Sequence, residues 1–146
     1  MDKKETDNAP PLQFPARLDA IPGAMAFAAM ALQQAGLAPA TVARAELILE
    51  ELLRNSILHG YGGDSAQPVW VGVRGRVLCY EDAAPPFNPL TEGPAAPDPT
   101  LPPEQLAVGG VGLLLIRQLG CAVVYSHAEG HNRIEITLVD GGHLGS

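Results

Sequence analysis

Two short patterns in this 146-residue chain have residue types and spacing suited to chemistry. The first is Glu51-Leu52-Leu53-Arg54-Asn55, a carboxylate and an amide four residues apart. On a helix that spacing stacks the two on one face, with Leu47 and Leu58 to one side and Ile48 and Leu52 to the other. Polar groups flanked in this way are partly buried. Burying them without partners is costly, so something should receive them. The plainer alternative leaves Glu51 solvated at the helix edge and gives Asn55 a local hydrogen bond. The second pattern is Gly109-Gly110-Val111-Gly112, which opens an apolar helical stretch. Free N–H groups, a favourable helix dipole and the lack of Cβ atoms make such a turn a ready anion site. It lacks the third glycine of the dinucleotide fingerprint and the Gly-Lys-Ser/Thr of a Walker loop.

The elements that carry these patterns can be read from periodicity. Residues 41–63 form one long amphipathic helix, with Val42, Ala45, Ile48, Leu49, Leu52, Leu53 and Ile57 on its apolar stripe. Pro39 and Thr41 supply start signals, and Gly60, Gly62 and Gly63 the stop. Glu50 and Arg54 form an i,i+4 pair on the solvated face. Upstream, residues 12–17 alternate as a strand, and Pro15 places that strand at a sheet edge. An Ala- and Met-rich helix follows over 21–35, with Asp19 as its cap, Pro22 in its first turn and Gly36 at its end. Strands at 69–74 and 76–82 form a hairpin around Gly75, with Trp70 as a packing residue. Residues 83–106 are crowded with proline and alanine, and a loop of that length is usually functional or disordered. A helix over 109–120 and strands over 121–127 and 132–139, joined at Glu129 and Gly130, complete the chain. Helices grouped among antiparallel strands predict an α/β (α+β) two-layer sandwich: a mixed, mostly antiparallel sheet with helices on one face.

Composition narrows the function classes. The chain is 47% hydrophobic and 17% charged, which suits one globular domain over 12–140 between a flexible tail at 1–11 and a frayed tail at 141–146. A net charge of −7 without a basic stripe argues against direct nucleic-acid binding and is compatible with a basic protein partner. Cys79 and Cys121 lie in apolar runs without metal-ligand spacing, which predicts free thiols in a reducing, cytoplasmic setting. No signal core or membrane-length apolar run is visible.

The patterns occur in a telling order: Glu51-x-x-x-Asn55 on a helix, Asp82 at a strand end before a Pro-rich loop, then the glycine turn. This order resembles the N box and glycine boxes of the GHKL, or Bergerat-fold (histidine kinase-like), ATPases. Residues 50–62 (EELLRNSILHGYG), 80–90 (YEDAAPPFNPL), 108–119 (VGGVGLLLIRQL) and 129–138 (EGHNRIEITL) are similar to the anti-sigma-factor serine kinases of bacterial partner-switching systems. The resemblance covers nearly all of 12–138. It implies ATP and Mg²⁺ as cofactors, with Asn55 as metal ligand and Glu51 as general base. It also implies that Asp82 accepts a hydrogen bond from the adenine amino group, that Ala84 stands in the first glycine box, and that Gly109, Gly110, Val111 and Gly112 face the phosphates. Residues 83–108 would be the ATP lid. The implied partners are a small anti-sigma-factor antagonist, phosphorylated on serine, and a sigma factor or other regulator that is sequestered. A homodimer is compatible with it.

The chain departs from the family pattern in two places. Ala84 replaces the first glycine, and its methyl is expected to crowd the adenine pocket or to exclude a left-handed backbone angle. Residues 83–115 hold no Lys or Arg to clamp phosphates. A second reading follows from these departures: a Bergerat-fold module that binds its partner without chemistry. The catalytic domain of a histidine kinase is a third reading, against which stands the lack of a helical segment bearing an acceptor histidine. His59 is given a structural role at the helix end. Asn132 falls near where related domains place a hydroxyl beside the base and is assigned no role.

Overall fold

The alternating and 3.6-period stretches become five strands and two helices in the computed structural model, which describes residues 10–87 and 122–140. Strand β1 (Leu12–Pro15) leads through a 3₁₀ turn at Leu18–Ala20 into α1 (Ile21–Gln34). Helix α2 (Pro39–Arg54) follows and continues as a π-helical turn over Asn55–Gly60. Two hairpins complete the sheet: β2 (Pro68–Arg74) with β3 (Val77–Asp82), and β4 (Ala122–Ala128) with β5 (His131–Thr137). The strand order is β1-β2-β3-β5-β4. Every pairing among the described strands is antiparallel, where the sequence left room for a mixed sheet. The expected helix at 109–120, the glycine turn and most of the 83–108 loop lie outside the described residues, as do most of the N-terminal tail and all of the C-terminal tail.

Strand β1 is an edge strand, where Pro15 leaves no ladder bond unmade in the sheet interior. The start of α1 differs from expectation. Asp19 lies in the 3₁₀ turn and pairs with Arg17 at 3.1 Å, one residue too early to cap, and Ala20 takes the cap position instead. The end of α1 follows the glycine rule. Gly36 adopts φ +89°, and the Leu37 and Gly36 amides donate to the Leu32 and Gln33 carbonyls. Helix α2 starts at Pro39 after Ala38, with no side-chain cap, and its first turn is tied to Asp140. Asp140 Oδ1 accepts the Ala38 amide and the Thr41 hydroxyl, each at 2.9 Å. Those two bonds, the amide first, hold the Asp140 carboxyl below its ordinary pKa.

Both helices cover one face of the sheet. Leu32 from α1 and Ile48, Leu49 and Leu53 from α2 are fully buried with Val69, Val71, Leu78 and Ile136 from the strands. Burial of each such side chain contributes about 1.5–3 kcal/mol. The strand registers align the helix-facing residues in rows. One row is Val73, Leu78, Ile136 and Val123; the next is Val71, Tyr80, Ile134 and Tyr125; the last is Val69, Asp82, Asn132 and His127. The buried layer therefore runs from aliphatic at one end of the sheet to polar at the other, where the π-helical turn lies close to β3 and β5.

Candidate functional site

Period-two alternation on β3 puts Leu78, Tyr80 and Asp82 on the same face, and the antiparallel register sets Asn132 directly beside Asp82. Both are only 8% exposed. Three donors converge on the Asp82 carboxylate: the Ser56 hydroxyl at 2.5 Å on Oδ2, and the Ala84 amide at 3.1 Å and Asn132 Nδ2 at 2.9 Å on Oδ1. Behind Ser56, the buried Tyr80 hydroxyl donates to Ser56 Oγ at 2.5 Å. Burial drives the Tyr80 phenol well above its ordinary pKa, so it acts as a fixed neutral donor. A carboxylate offers about four acceptor positions, and three are filled here. Among the described residues no fourth donor reaches it.

Asp82 forms part of the wall of a cavity of about 200 Å³. Asn55, Ser56, His59 and Gly60 border it on the helix side, and Ala84 to Phe87 on the loop side. Leu52, Ile134, Pro85, Pro86 and Phe87 make it mainly apolar around one carboxylate, the composition of a pocket for a flat ligand bearing a polar donor. Arg133 also borders the cavity, but its guanidinium is held on the opposite face of the sheet by Glu81 at 3.1 Å.

The π-helical turn orients the helix side. The Tyr61 amide reaches back five residues to the Ser56 carbonyl at 2.8 Å, which widens the last turn. The single long helix read from the sequence thus changes character at Asn55. Gly62 and Gly63, at φ +77° and +130°, then turn the chain away. Asn55 is half-buried at the cavity. Glu51 lies one turn earlier and does not line the cavity itself. Its Oε2 is the one buried side-chain oxygen or nitrogen without a hydrogen-bond partner among the described residues. Burial pushes the Glu51 carboxyl above its ordinary pKa, opposed by Arg54 and the Asn55 side chain. The Glu50–Arg54 pair forms as expected on the exposed face, at 3.3 Å. Leu47 and Leu58, expected to shield Glu51 on one side, are more than 40% exposed, whereas Ile48 and Leu52 on the other side are buried.

Ala84 borders the cavity. Its backbone is not left-handed; Glu129 is the only non-glycine residue with positive φ among those described. Its side chain is directed at Gly60, where a Cβ would lie 2.9 Å from the Ala84 Cβ. Gly109, Gly110, Val111 and Gly112 lie outside the described residues.

Sequence reasoning passed over Ser56 and Tyr61 and assigned no role to Asn132. Ser56 stands at i+4 from Leu52 and i+8 from Ile48, a hydroxyl on an otherwise apolar stripe, which was a usable signal. Asn132 is the hub: its Nδ2 also reaches the Ala84 and Pro85 carbonyls at 3.1 and 3.0 Å, while its Oδ1 accepts the Phe87 amide and the Tyr125 hydroxyl. Tyr61 bridges two segments, donating to the Pro68 carbonyl at 2.8 Å and accepting the Ala83 amide at 2.7 Å.

Compared with known protein families, residues 14–138 match the histidine kinase-like ATPase domain. A comparison with curated proteins finds no match. Among the described residues, no helix is long and apolar enough to cross a membrane.

Proposed function

Because the chain belongs to the histidine kinase-like ATPase domain family, we propose that it is an ATP-dependent serine/threonine protein kinase and anti-sigma-type regulator. Its substrate is a serine on a small anti-sigma-factor antagonist, and in its free form it sequesters a sigma factor or a similar regulator. The observation that carries this reading is the unpartnered, buried Glu51 Oε2 one turn before Asn55, beside a pocket walled by Asp82.

The residues fit Mg-ATP. Asp82, with three donors among the described residues, would accept a fourth from an exocyclic amino group, within an apolar wall suited to a purine. Asn55 offers a neutral oxygen, the kind of ligand Mg²⁺ takes while retaining most of its waters. Mg-ATP supplies, when bound, the phosphoryl group and the cation that neutralises its charge. Glu51 Oε2 takes the proton of the attacking hydroxyl. Its raised pKa makes it a stronger base than an ordinary carboxylate, and its missing partner leaves the lone pair free.

Calorimetric titration with ATP, with and without Mg²⁺, tests the site: binding should require Mg²⁺ and be lost in Asn55→Ala. Glu51→Ala should then bind ATP normally and transfer phosphoryl to the antagonist about a hundredfold more slowly or worse. Full transfer by that variant removes Glu51 from the base role. The lack of any Lys or Arg over residues 83–115 favours a second reading, a binding module without turnover. In that case Asn55→Ala leaves partner affinity unchanged. The histidine-kinase reading is weakened by His59, which borders the cavity and so is ill placed as the acceptor.

A further inference from the structure

The segment Ala84 to Phe87 is gripped from two sides. On the helix side, Gly60 leaves a gap that the Ala84 methyl faces at a distance no Cβ–Cβ contact tolerates; alanine at 60 would lie 2.9 Å from it. On the strand side, the Asn132 amide takes the Ala84 and Pro85 carbonyls with Nδ2 and the Phe87 amide with Oδ1. The same Nδ2 holds Asp82 Oδ1, which also receives the Ala84 amide. Between the gripped ends lie Pro85 and Pro86, whose rings restrict the backbone further. The segment is one wall of the pocket; Asn132 bonds it from β5, and Gly60 leaves room for its Ala84 methyl.

We propose that Asn132 and Gly60 are positioning residues of the nucleotide site, acting together to fix the Ala84 to Phe87 wall against Asp82. Gly60 and Ala84 form a matched pair: residue 84 carries a side chain because residue 60 carries none. Asn132 ties the carboxylate and the wall into one unit, so that neither shifts without the other. This inference rests on the reading of the cavity as a nucleotide site.

The test uses Gly60→Ala, the double variant Gly60→Ala/Ala84→Gly, and Asn132→Ala in the full chain. Two quantities are measured: ATP affinity by calorimetry, and amide hydrogen exchange without nucleotide. Pro85 and Pro86 have no amide, so Ala84 and Phe87 report on the wall. Gly60→Ala has no positive φ to strain and favours helix, so its effect comes from the Ala84 contact. The expected results are ATP affinity about tenfold weaker in Gly60→Ala, restored in the double variant, and about tenfold weaker or worse in Asn132→Ala with the Phe87 amide deprotected. Rescue by the compensating deletion is a result that a general loss of stability does not give. If the parent protein binds ATP and the single variants bind it equally well, the positioning roles are wrong while the nucleotide site stands. If the parent protein binds no ATP, the nucleotide reading fails and the exchange data judge the clamp alone. Protection at Ala84 and Phe87 that Asn132→Ala removes supports it, and unprotected amides in the parent protein overturn it.

Discussion

Asp82 and Glu81 are neighbours on β3 that face opposite sides of the sheet, and they are satisfied in opposite ways. Asp82 faces the helices and is held by neutral donors: a serine hydroxyl, a backbone amide and an asparagine amide. Glu81 faces outward and is held by Arg133 at 3.1 Å and by His131, whose ring stacks on Trp70 at 4.8 Å. Glu135, further along the outer face, pairs with Arg74 at 3.2 Å. Outward, negative charge is met by positive charge. Inward, among the described residues, it is met by dipoles. The contrast separates a carboxylate held by dipoles beside the cavity from one that holds strands together.

The strongest way to break this comparison is to neutralise each carboxylate in turn. Asp82→Asn should weaken ATP binding about a hundredfold, because an amide both removes the charge and presents a donor to the ligand's donor. Glu81→Gln should leave ATP affinity within about twofold, since exposed pairs of its kind contribute little. Equal losses in calorimetry would mean that the two faces are not functionally distinct.

A smaller effect is expected at Ser56. Ser56→Ala strips a bond from Asp82 and leaves the Tyr80 hydroxyl buried without its acceptor. The cost should be about 1–3 kcal/mol, read as a lower midpoint in urea with an unchanged slope. An unchanged midpoint would show that the inward network is not needed for stability.

The smallest effect concerns Glu51, whose carboxyl pKa is raised in the fold above its ordinary 4.5, first by burial. The fold favours the protonated form. The resulting stabilisation is complete below the ordinary pKa and is lost as pH rises through the folded one. Glu51→Gln is neutral at every pH and keeps it. Its melting temperature at pH 8 should exceed the parent's, and the gap should close below about pH 4. Because the group is only half-buried, solvent screening keeps the gap to about 1–3 °C. A gap that persists at pH 3 would point to packing and not to charge.

Much of this arrangement was legible in local sequence. The apolar stripe of α2, the glycine that ends α1, both hairpins and the edge position of β1 each follow from a period or a turn residue that acts over a few positions. The partial burial of Glu51 and Asn55 was readable from their flanking leucines and isoleucine, although Leu47 and Leu58 turned out to be exposed. Other features depend on distant partners and left little local trace. Asn132 acquires its role only when β5 registers against β3, which no residue near 132 dictates. Asp19 looks like a cap by type, but Arg17 draws it away. The widened turn at Asn55–Gly60 depends on where Tyr61 and the glycines after it are drawn by the rest of the fold.

Asp140, which closes the first turn of α2, has a consequence for biosynthesis. The helix that carries Glu51 and Asn55 is made early, yet its start is completed by a residue about a hundred positions later in the chain. During translation, therefore, the tie between Asp140 and the start of α2 forms only after β5 has left the ribosome.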